Sequence, residues 1–387
     1  MRIIHTSDWH LGRIFYKVHL TEEQAYVLDQ LVGIVREERP DLVVIAGDVY
    51  DRSAPPAEAV ELLDDALSRI VLGLGVPVVA IAGNHDSPER LGFCSSLLSS
   101  KGLFMVGAAD TARPIEFCDQ HGPVWVVPVP YAEPAVVRDR LEAPDAADHD
   151  AALGAQLDAA MAAVPPNARR IAVAHALTYG GQTSGSERPL TLGGTGAVDA
   201  ARFDGFCYAA LGHLHRPQQI TGTGCRYSGS LMKYSFDEAD HAKSVSVVDI
   251  DGQGNASVMA IPLTPRRDVR RLRGSLQEIV EGARRDPARD DYISITLVDA
   301  PAVWDALARL REHYPNVMHL EFEFTSAEDQ APKLAGAGAD WSQRSLVQLF
   351  RDFYQQTTGA PIEERHMKAF LDAAERVASD EKEVAAS

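Results

Sequence analysis

Five of the short apolar runs in this chain lead into residues that can ligate a metal. Asp8 and His10 follow RIIHT, Asp48 follows LVVIAG, and Asn84, His85 and Asp86 follow PVVAIAG; RIAVAH ends on His175, and YAALGH leads into His213 and His215. Imidazoles, carboxylates and one amide oxygen suit Mn, Fe or Zn better than Ca or Mg. A pair of divalent ions about 3.5–4 Å apart needs a carboxylate that both share, and Asp48, in the middle of the order, is the natural bridge. Each fragment alone is a weak signal. A DxH or GHxH pair is usually an ordinary polar loop, and Asp48 in GDVYDR has an alternative reading as a cap on the next helix. The ordered set DxH, GDxxD, GNHD, an isolated His and GHxH in one chain singles out a metal centre.

Residues so far apart in sequence must be brought together by a sheet. In open α/β sheets, sites form beyond the carboxyl ends of the strands, so the five runs are expected to end at one crevice. Alternation of side chains along an extended segment predicts Asp8 with His10, and His213 with His215, on one side of their loops. Helical patterns occupy about 21–38, 57–72 and 88–100, and the apolar runs between them indicate a layered α/β sheet. From 225 to 262, CRYSGS, KSVSVVDI and ASVMAIPL read as antiparallel strands, with a DGQGN turn between the last two. Past Pro265 comes a small α+β unit: a strand, a helix near 275–285, the strand YISITLV, a helix near 301–313 and the strand HLEFEF. SAEDQAPKLAGAGAD reads as a linker, and two amphipathic segments follow.

Composition excludes several classes. The 387 residues are 45% hydrophobic and 24% charged, ordinary for a folded soluble protein of two or three domains. No segment approaches a membrane span, and the MRIIHTSDWH start lacks signal-peptide character, so no membrane association and a cytoplasmic location are expected. Cys94, Cys118, Cys207 and Cys225 form no CxxC pair and read as buried free thiols. A net charge of −18 argues against gripping nucleic acid by bulk electrostatics. Charge is local, however, and Arg266, Arg267, Arg270, Arg271 and Arg273 form a basic island.

The motifs DWHLG, GDVYDR, GNHDS, a later His175 and GHLHRP resemble those of the calcineurin-like metallophosphoesterases. The opening HTSDWHLGRIFY and the segment YSGSLMKYSFDE resemble the SbcD nucleases specifically, over about residues 1–325. The resemblance implies an α/β fold with a layered β-sandwich core, helices on its outer faces, a small α+β capping domain and C-terminal helices. The expected boundaries are 1–264 for the nuclease domain, 265–325 for a DNA-binding or capping domain, 326–341 for a linker and 342–387 for a helical tail. It implies two divalent ions, most simply Mn2+: one on Asp8, His10, Asp48 and His215, the other on Asp48, Asn84, His175 and His213.

His85 is then the motif imidazole without a metal. Beside Asp86 it is expected to be oriented or held cationic, and to stabilise the transition state or protonate the leaving oxygen; its alternative is a structural hydrogen bond. Asp51 and Arg52 are expected to support ligands. The implied function is a Mn-dependent DNA nuclease, a 3′–5′ double-strand exonuclease and single-strand endonuclease in an SbcCD-type end-processing and repair complex. Alternatives are another phosphoester substrate, such as a phosphoprotein or cyclic nucleotide, or a metal-stabilised scaffold for the ATPase. Arg266, Arg267, Arg270 and Arg271 are the expected DNA contacts, with a solvated strand as the alternative, and the loop at Gly180, Gly181 and Thr183–Gly185 is expected to border the substrate. A homodimer is expected, through the helices near 57–100. Leu346, Leu349, Phe350 and Phe353, and then Met367, Phe370, Leu371 and Ala374, form apolar stripes; these are expected to dock on an SbcC-like ATPase, with a helical hairpin as the alternative.

Overall fold

The computed structural model describes residues 1–190, 196–298, 305–323 and 345–373, apart from the side chains of Leu346, Leu349, Asp352, Gln356 and Thr357. The linker expected at 326–341 lies outside the described residues, as do 342–344 and 374–387 of the expected tail. The chain divides into two units, Met1–Arg270 and Arg271–Ser387.

In chain order the first unit carries β1 (Arg2–Thr6), β2 (Ile14–Phe15), β3 (Val18–His19), α1 (Thr21–Glu38), β4 (Leu42–Ile45), α2 (Ala57–Ser68), β5 (Val78–Ile81), α3 (Pro88–Leu91), α4 (Ser95–Leu98) and β6 (Leu103–Val106). There follow β7 (Ile115–Asp119), β8 (Gly122–Val129), α5 (Pro134–Arg140), α6 (His149–Met161), β9 (Arg169–His175), β10 (Tyr208–Gly212), β11 (Gln218–Gln219), β12 (Cys225–Tyr227), β13 (Ser244–Ile250) and β14 (Ala256–Pro262). Two six-stranded sheets result, ordered β14-β13-β1-β4-β5-β6 and β11-β12-β10-β9-β8-β7. β4 and β5 are buried at every position, as parallel strands covered on both faces must be. Ile3, Val44 and Ile81 of the first sheet meet Val126, Val173 and Ala210 of the second in one core. The other face of the second sheet packs Ala172, Ala174 and Leu211 against Leu153 and Leu157 of α6. This is the layered α/β sandwich expected from the sequence.

The second unit starts within β15 (Val269–Gly274) and continues with α7 (Leu276–Ala283), β16 (Tyr292–Leu297), α8 (Ala306–Arg311), β17 (Val317–Phe322) and α9 (Leu346–Thr358). β15, β16 and β17 form a sheet whose Ile293, Ile295 and Leu297 pack on Leu276 and Ile279 of α7 and Leu310 of α8. A reciprocal capping box between Ser275 and Glu278 starts α7. Among the described residues no helix is long and apolar enough to cross a membrane.

Several expectations are corrected. The pattern at 88–100 is not one helix, because Cys94 takes a left-handed φ of 58° and splits it into α3 and α4. β12 does not join the β13–β14 hairpin: it lies in the other sheet, parallel to β10 and antiparallel to β11. All four cysteines are free but only Cys225 is buried; Cys94 and Cys118 are exposed. The basic island is not an open cationic face. Arg266 pairs with Glu22 at 2.9 Å and Arg267 pairs with the buried Glu23, so these two arginines tie the end of the first unit to the start of α1. Finally, the tail takes the helical hairpin expected as the alternative, and its stripes partly cover each other. Phe350 of α9 stacks on Phe370 of the helix at 364–373, with ring centroids 3.8 Å apart, and the Tyr354 hydroxyl lies 3.0 Å from His366 Nδ1. The reason is the short turn after Gly359, which folds the second helix back on the first. Ala374 and the side chains of Leu346 and Leu349 lie outside the described residues.

Candidate metal centre

The ligand-bearing turns converge at the carboxyl ends of β1, β4, β5, β9 and β10, but not on extended backbone. Asp8, His10, Asp48 and His213 have φ of 54°, 45°, 50° and 107°, so left-handed turns rather than strand alternation aim these side chains. Such conformations store about 1–3 kcal/mol each in non-glycine residues and persist only where surrounding bonds impose them. Here Asp8 N donates to Gly47 O and His10 N to Asp48 O, both at 3.0 Å, stitching the β1 turn to the β4 turn. Two motif glycines are required by close approach. A Cβ at Gly212 would lie 1.8 Å from Ala46 O, and one at Gly47, where φ is +89°, would lie 2.3 Å from His175 Nδ1.

All seven sequence-predicted ligands meet in one cluster, buried except for the half-buried Asn84. Asp48 Oδ2 lies 3.6 Å from His10 Nε2 and 3.5 Å from His175 Nε2. On one side of it His10 Nε2 and His215 Nε2 are 3.1 Å apart, and donor atoms of Asp8, His10 and His215 lie within 4.8 Å of one another. On the other side Asn84 Oδ1 is 2.9 Å from His175 Nε2 and 3.2 Å from His213 Nδ1. Asp8, Asp48 and His175 form a second group within 4.8 Å, and His10, Asp51 and His85 a third.

The rings are oriented from behind. Ala46 O, which only accepts, takes a hydrogen bond from His175 Nδ1 at 2.9 Å and leaves Nε2 facing the cluster. His215 Nδ1 lies 2.7 Å from Ser186 Oγ and 3.3 Å from Glu238 Oε1. His10 Nδ1 is buried without a hydrogen-bond partner, 3.7 Å from Asp51 Oδ1, which Arg13 neutralises at 2.7 Å. Burial pushes the Asp8 and Asp48 carboxyls up. Burial, with repulsion from neighbouring imidazoles, pushes His10 and His213 well below the usual histidine value. Burial opposes the His215 charge, but Glu238 and then Asp8 outweigh it and push that ring up. Imidazole nitrogens facing buried carboxylates, with no lysine or arginine among the ligand atoms of the described residues, fit a pair of divalent ions, which take N and O donors of this hardness.

His85 stands beside the cluster, half-buried, its ring centroid 4.7 Å from that of His10. Its Nδ1 donates to the main-chain carbonyl of Asp51 at 2.8 Å, and its backbone N–H donates to Asp48 Oδ1 at 2.9 Å. The orienting contact expected from Asp86 is therefore corrected. The Asp86 carboxylate instead accepts the backbone N–H groups of Val49, Tyr50 and Gly83. Burial, reinforced by the charge of Asp48, pushes Asp86 up to about 7 against these bonds. Asp86 ties the β4 and β5 turns together and does not orient the His85 ring.

Sequence motifs missed the support behind His215. Glu238 accepts from Ser186 Oγ at 2.5 Å and from Tyr234 N at 3.1 Å, and it pairs with Lys243. Burial opposes the Glu238 charge, but Lys243 and His215 outweigh it and hold the carboxyl well below its usual range. Gln24 was missed too: its amide donates to His10 O at 2.7 Å. The one available signal was YSGSLMKYSFDE, a segment without metal ligands that contains Tyr234 and Glu238.

Residues 1–217 match the family model described as calcineurin-like phosphoesterase, and residues 265–358 the model described as type 5 capsule protein repressor C-terminal domain. The chain is 33% identical over 321 residues to the D subunit of the SbcCD nuclease of Staphylococcus epidermidis, covering 83% of this chain and 85% of that protein. Among solved structures it is similar to a Thermus thermophilus protein at 13% identity and a TM-score of 0.39. It is also similar to a dimetal phosphatase from Danio rerio at 14% identity and a TM-score of 0.39. Each of these alignments covers 67% of this chain and 98% of the other. The chain belongs to the calcineurin-like phosphoesterases and, within them, to the SbcD family of metal-dependent phosphoesterases.

Proposed function

We propose that this protein is the nuclease component of an SbcCD-type complex in the cytoplasm, a Mn2+-dependent DNA 3′–5′ double-strand exonuclease and single-strand endonuclease. The observation that carries the reading is the position of Asp48 Oδ2 between His10 Nε2 and His175 Nε2, at 3.6 and 3.5 Å, where one carboxylate serves both halves of the cluster. Asp8, His10, Asp48 and His215 would hold one ion; Asp48, Asn84, His175 and His213 would hold the other. When bound, such ions neutralise the phosphate oxygens and lower the pKa of a water enough to give hydroxide at neutral pH. The chain's own residues do the rest. Asp51 O fixes the His85 ring through Nδ1, which frees Nε2 to hydrogen-bond a phosphate oxygen or to give a proton to the leaving sugar oxygen. DNA as substrate is supported by the likeness to the staphylococcal SbcCD nuclease component. Arg266, Arg271 and Arg273 of the basic island are exposed, which supports a contact of this strand with a DNA backbone.

Two interfaces complete the proposal. A groove of about 410 Å3 between α2 and the α3–α4 segment is lined by Leu63, Leu67, Leu91, Leu72 and Phe93, the last two 72% and 75% exposed. An apolar surface of this kind supports a homodimer. The hairpin of α9 and the helix at 364–373 keeps Phe353 and Leu371 at 61% and 40% exposure, which supports docking of its outer face on an SbcC-like ATPase.

The functional test is hydrolysis by the purified protein, with Mn2+, of linear duplex DNA beside a phosphoserine peptide and a cyclic nucleotide. Preferential, EDTA-sensitive DNA cleavage is expected. Turnover of the peptide or cyclic nucleotide with DNA untouched would overturn the reading.

A further inference from the structure

Behind His215 lies a chain of hydrogen bonds with only one consistent direction. Lys243 Nζ has donors and no acceptor. It meets Glu238 Oε2, Ser230 Oγ at 2.8 Å and the main-chain carbonyl of His215 at 2.7 Å. An ionised Glu238 only accepts, and its Oε1 takes the Ser186 hydroxyl proton at 2.5 Å and the Tyr234 N–H at 3.1 Å. Having given its one proton to Glu238, Ser186 Oγ can meet His215 Nδ1, 2.7 Å away, only as an acceptor. Nδ1 therefore carries the ring proton. In the neutral ring, the form that can ligate a metal, the lone pair is then on Nε2, 3.1 Å from His10 Nε2.

We infer that Lys243, Glu238 and Ser186 form a directional relay that fixes which nitrogen of His215 faces the metal centre, with Lys243 setting the direction; this rests on the ligand role proposed for His215. The side chains of Lys243 and Glu238 are 2% and 0% exposed, so bulk water cannot substitute for either. Stability does not explain the pair, since well-packed apolar residues in place of a buried ion pair are often neutral or stabilising. Lys243 also grips the carbonyl of His215, so the same pair holds both the ring and the main chain of that residue.

The test exploits the one change that keeps the shape and adds a donor. In Glu238→Gln, Lys243 claims the amide oxygen, because a charge-assisted bond is about twice as strong as a neutral one, and the Tyr234 N–H loses its acceptor. The amide NH2 then turns to Ser186, Ser186 donates to Nδ1, and the ring proton moves to Nε2. Mn2+ titration calorimetry on the full chain should show one site weakened by about 10–100-fold, the usual effect of losing such a support, with the other site unchanged. Glu238→Gln/Lys243→Met frees the amide to turn its oxygen back to Ser186, and should recover most of that loss, which a purely structural role would not allow. Unchanged affinities in the single variant, or no recovery in the double, would overturn the relay. His215→Ala runs beside them: if it binds both ions as the wild type does, the ligand assignment fails and not the relay. Nitrogen-15 NMR of the metal-free wild type reads the relay directly, whether or not a variant folds. A proton on Nδ1 of His215 is expected, and an Nδ1 without a proton refutes the inference.

Discussion

His175 and His215 face the same cluster but are held by different means. His175 ends β9, and its ring is pinned by the main-chain carbonyl of Ala46, just past β4 in the opposing sheet. No side chain can be substituted to remove that partner. His215 depends on Ser186, Glu238 and Lys243, from separate stretches of chain. The first half of the site is thus a consequence of how the two sheets pack, and the second is an assembly of replaceable side chains. Changes that alter the main chain should reach the His175 half, and side-chain changes the His215 half.

The largest effect is expected where the halves join. Asp48→Ala should abolish both tight Mn2+ sites and all hydrolysis, as read by calorimetry and a DNA cleavage assay; two retained tight sites would mean that Asp48 is no bridge. Gly47→Ala should strike the His175 half alone. Its Cβ would sit 2.3 Å from His175 Nδ1 at a φ of +89°, which is expected to cost more than about 1 kcal/mol of stability and to leave one ion, a stoichiometry that native mass spectrometry resolves. An ordinary two-ion complex would show that the β4–β9 contact tolerates more than its geometry suggests. His85→Leu removes no proposed ligand, although the ring lies against His10. It should keep both ions while turnover falls by about 10²–10⁴-fold, and loss of an ion would move His85 among the ligands.

The smallest effect is expected far from the cluster, at β7. Asp119 accepts two hydrogen bonds from Arg169, at 2.9 and 2.6 Å, and these hold its carboxyl well below the ordinary value of 3.8. A depressed folded-state pKa contributes stability at pH above the unfolded value, and that contribution is lost as pH falls from about 4 toward the lower folded value. Asp119→Asn should therefore lower Tm near neutral pH, with a gap that narrows as pH is brought to about 3, while Mn2+ binding is unchanged. A gap independent of pH would assign the effect to packing.

The legible part of the site was its strand ends. β4 and β5 are continuous apolar runs, and a ligand follows each, so both the layers and the positions of Asp48 and Asn84 could be read directly. The left-handed turns at Asp8, His10 and Asp48 could not. They are imposed by bonds between the β1 and β4 turns, from Asp8 N to Gly47 O and from His10 N to Asp48 O, which local sequence does not encode. Arg266 and Arg267 looked like an open basic surface because their partners, Glu22 and Glu23, lie at the other end of the first unit's sequence. Phe350 and Phe370 looked like stripes awaiting a partner because helical periodicity reports that a face is apolar and not what covers it. Glu238 and Lys243 carry no metal-ligand spacing at all.

The central claim is that Asp48 joins two metal sites, and anomalous diffraction at the manganese edge from crystals grown with Mn2+ tests it most directly. Two peaks about 3.5–4 Å apart are expected, both bonded to Asp48, one also to Asp8, His10 and His215, the other also to Asn84, His175 and His213. A single peak, or two peaks that do not share Asp48, would contradict the account.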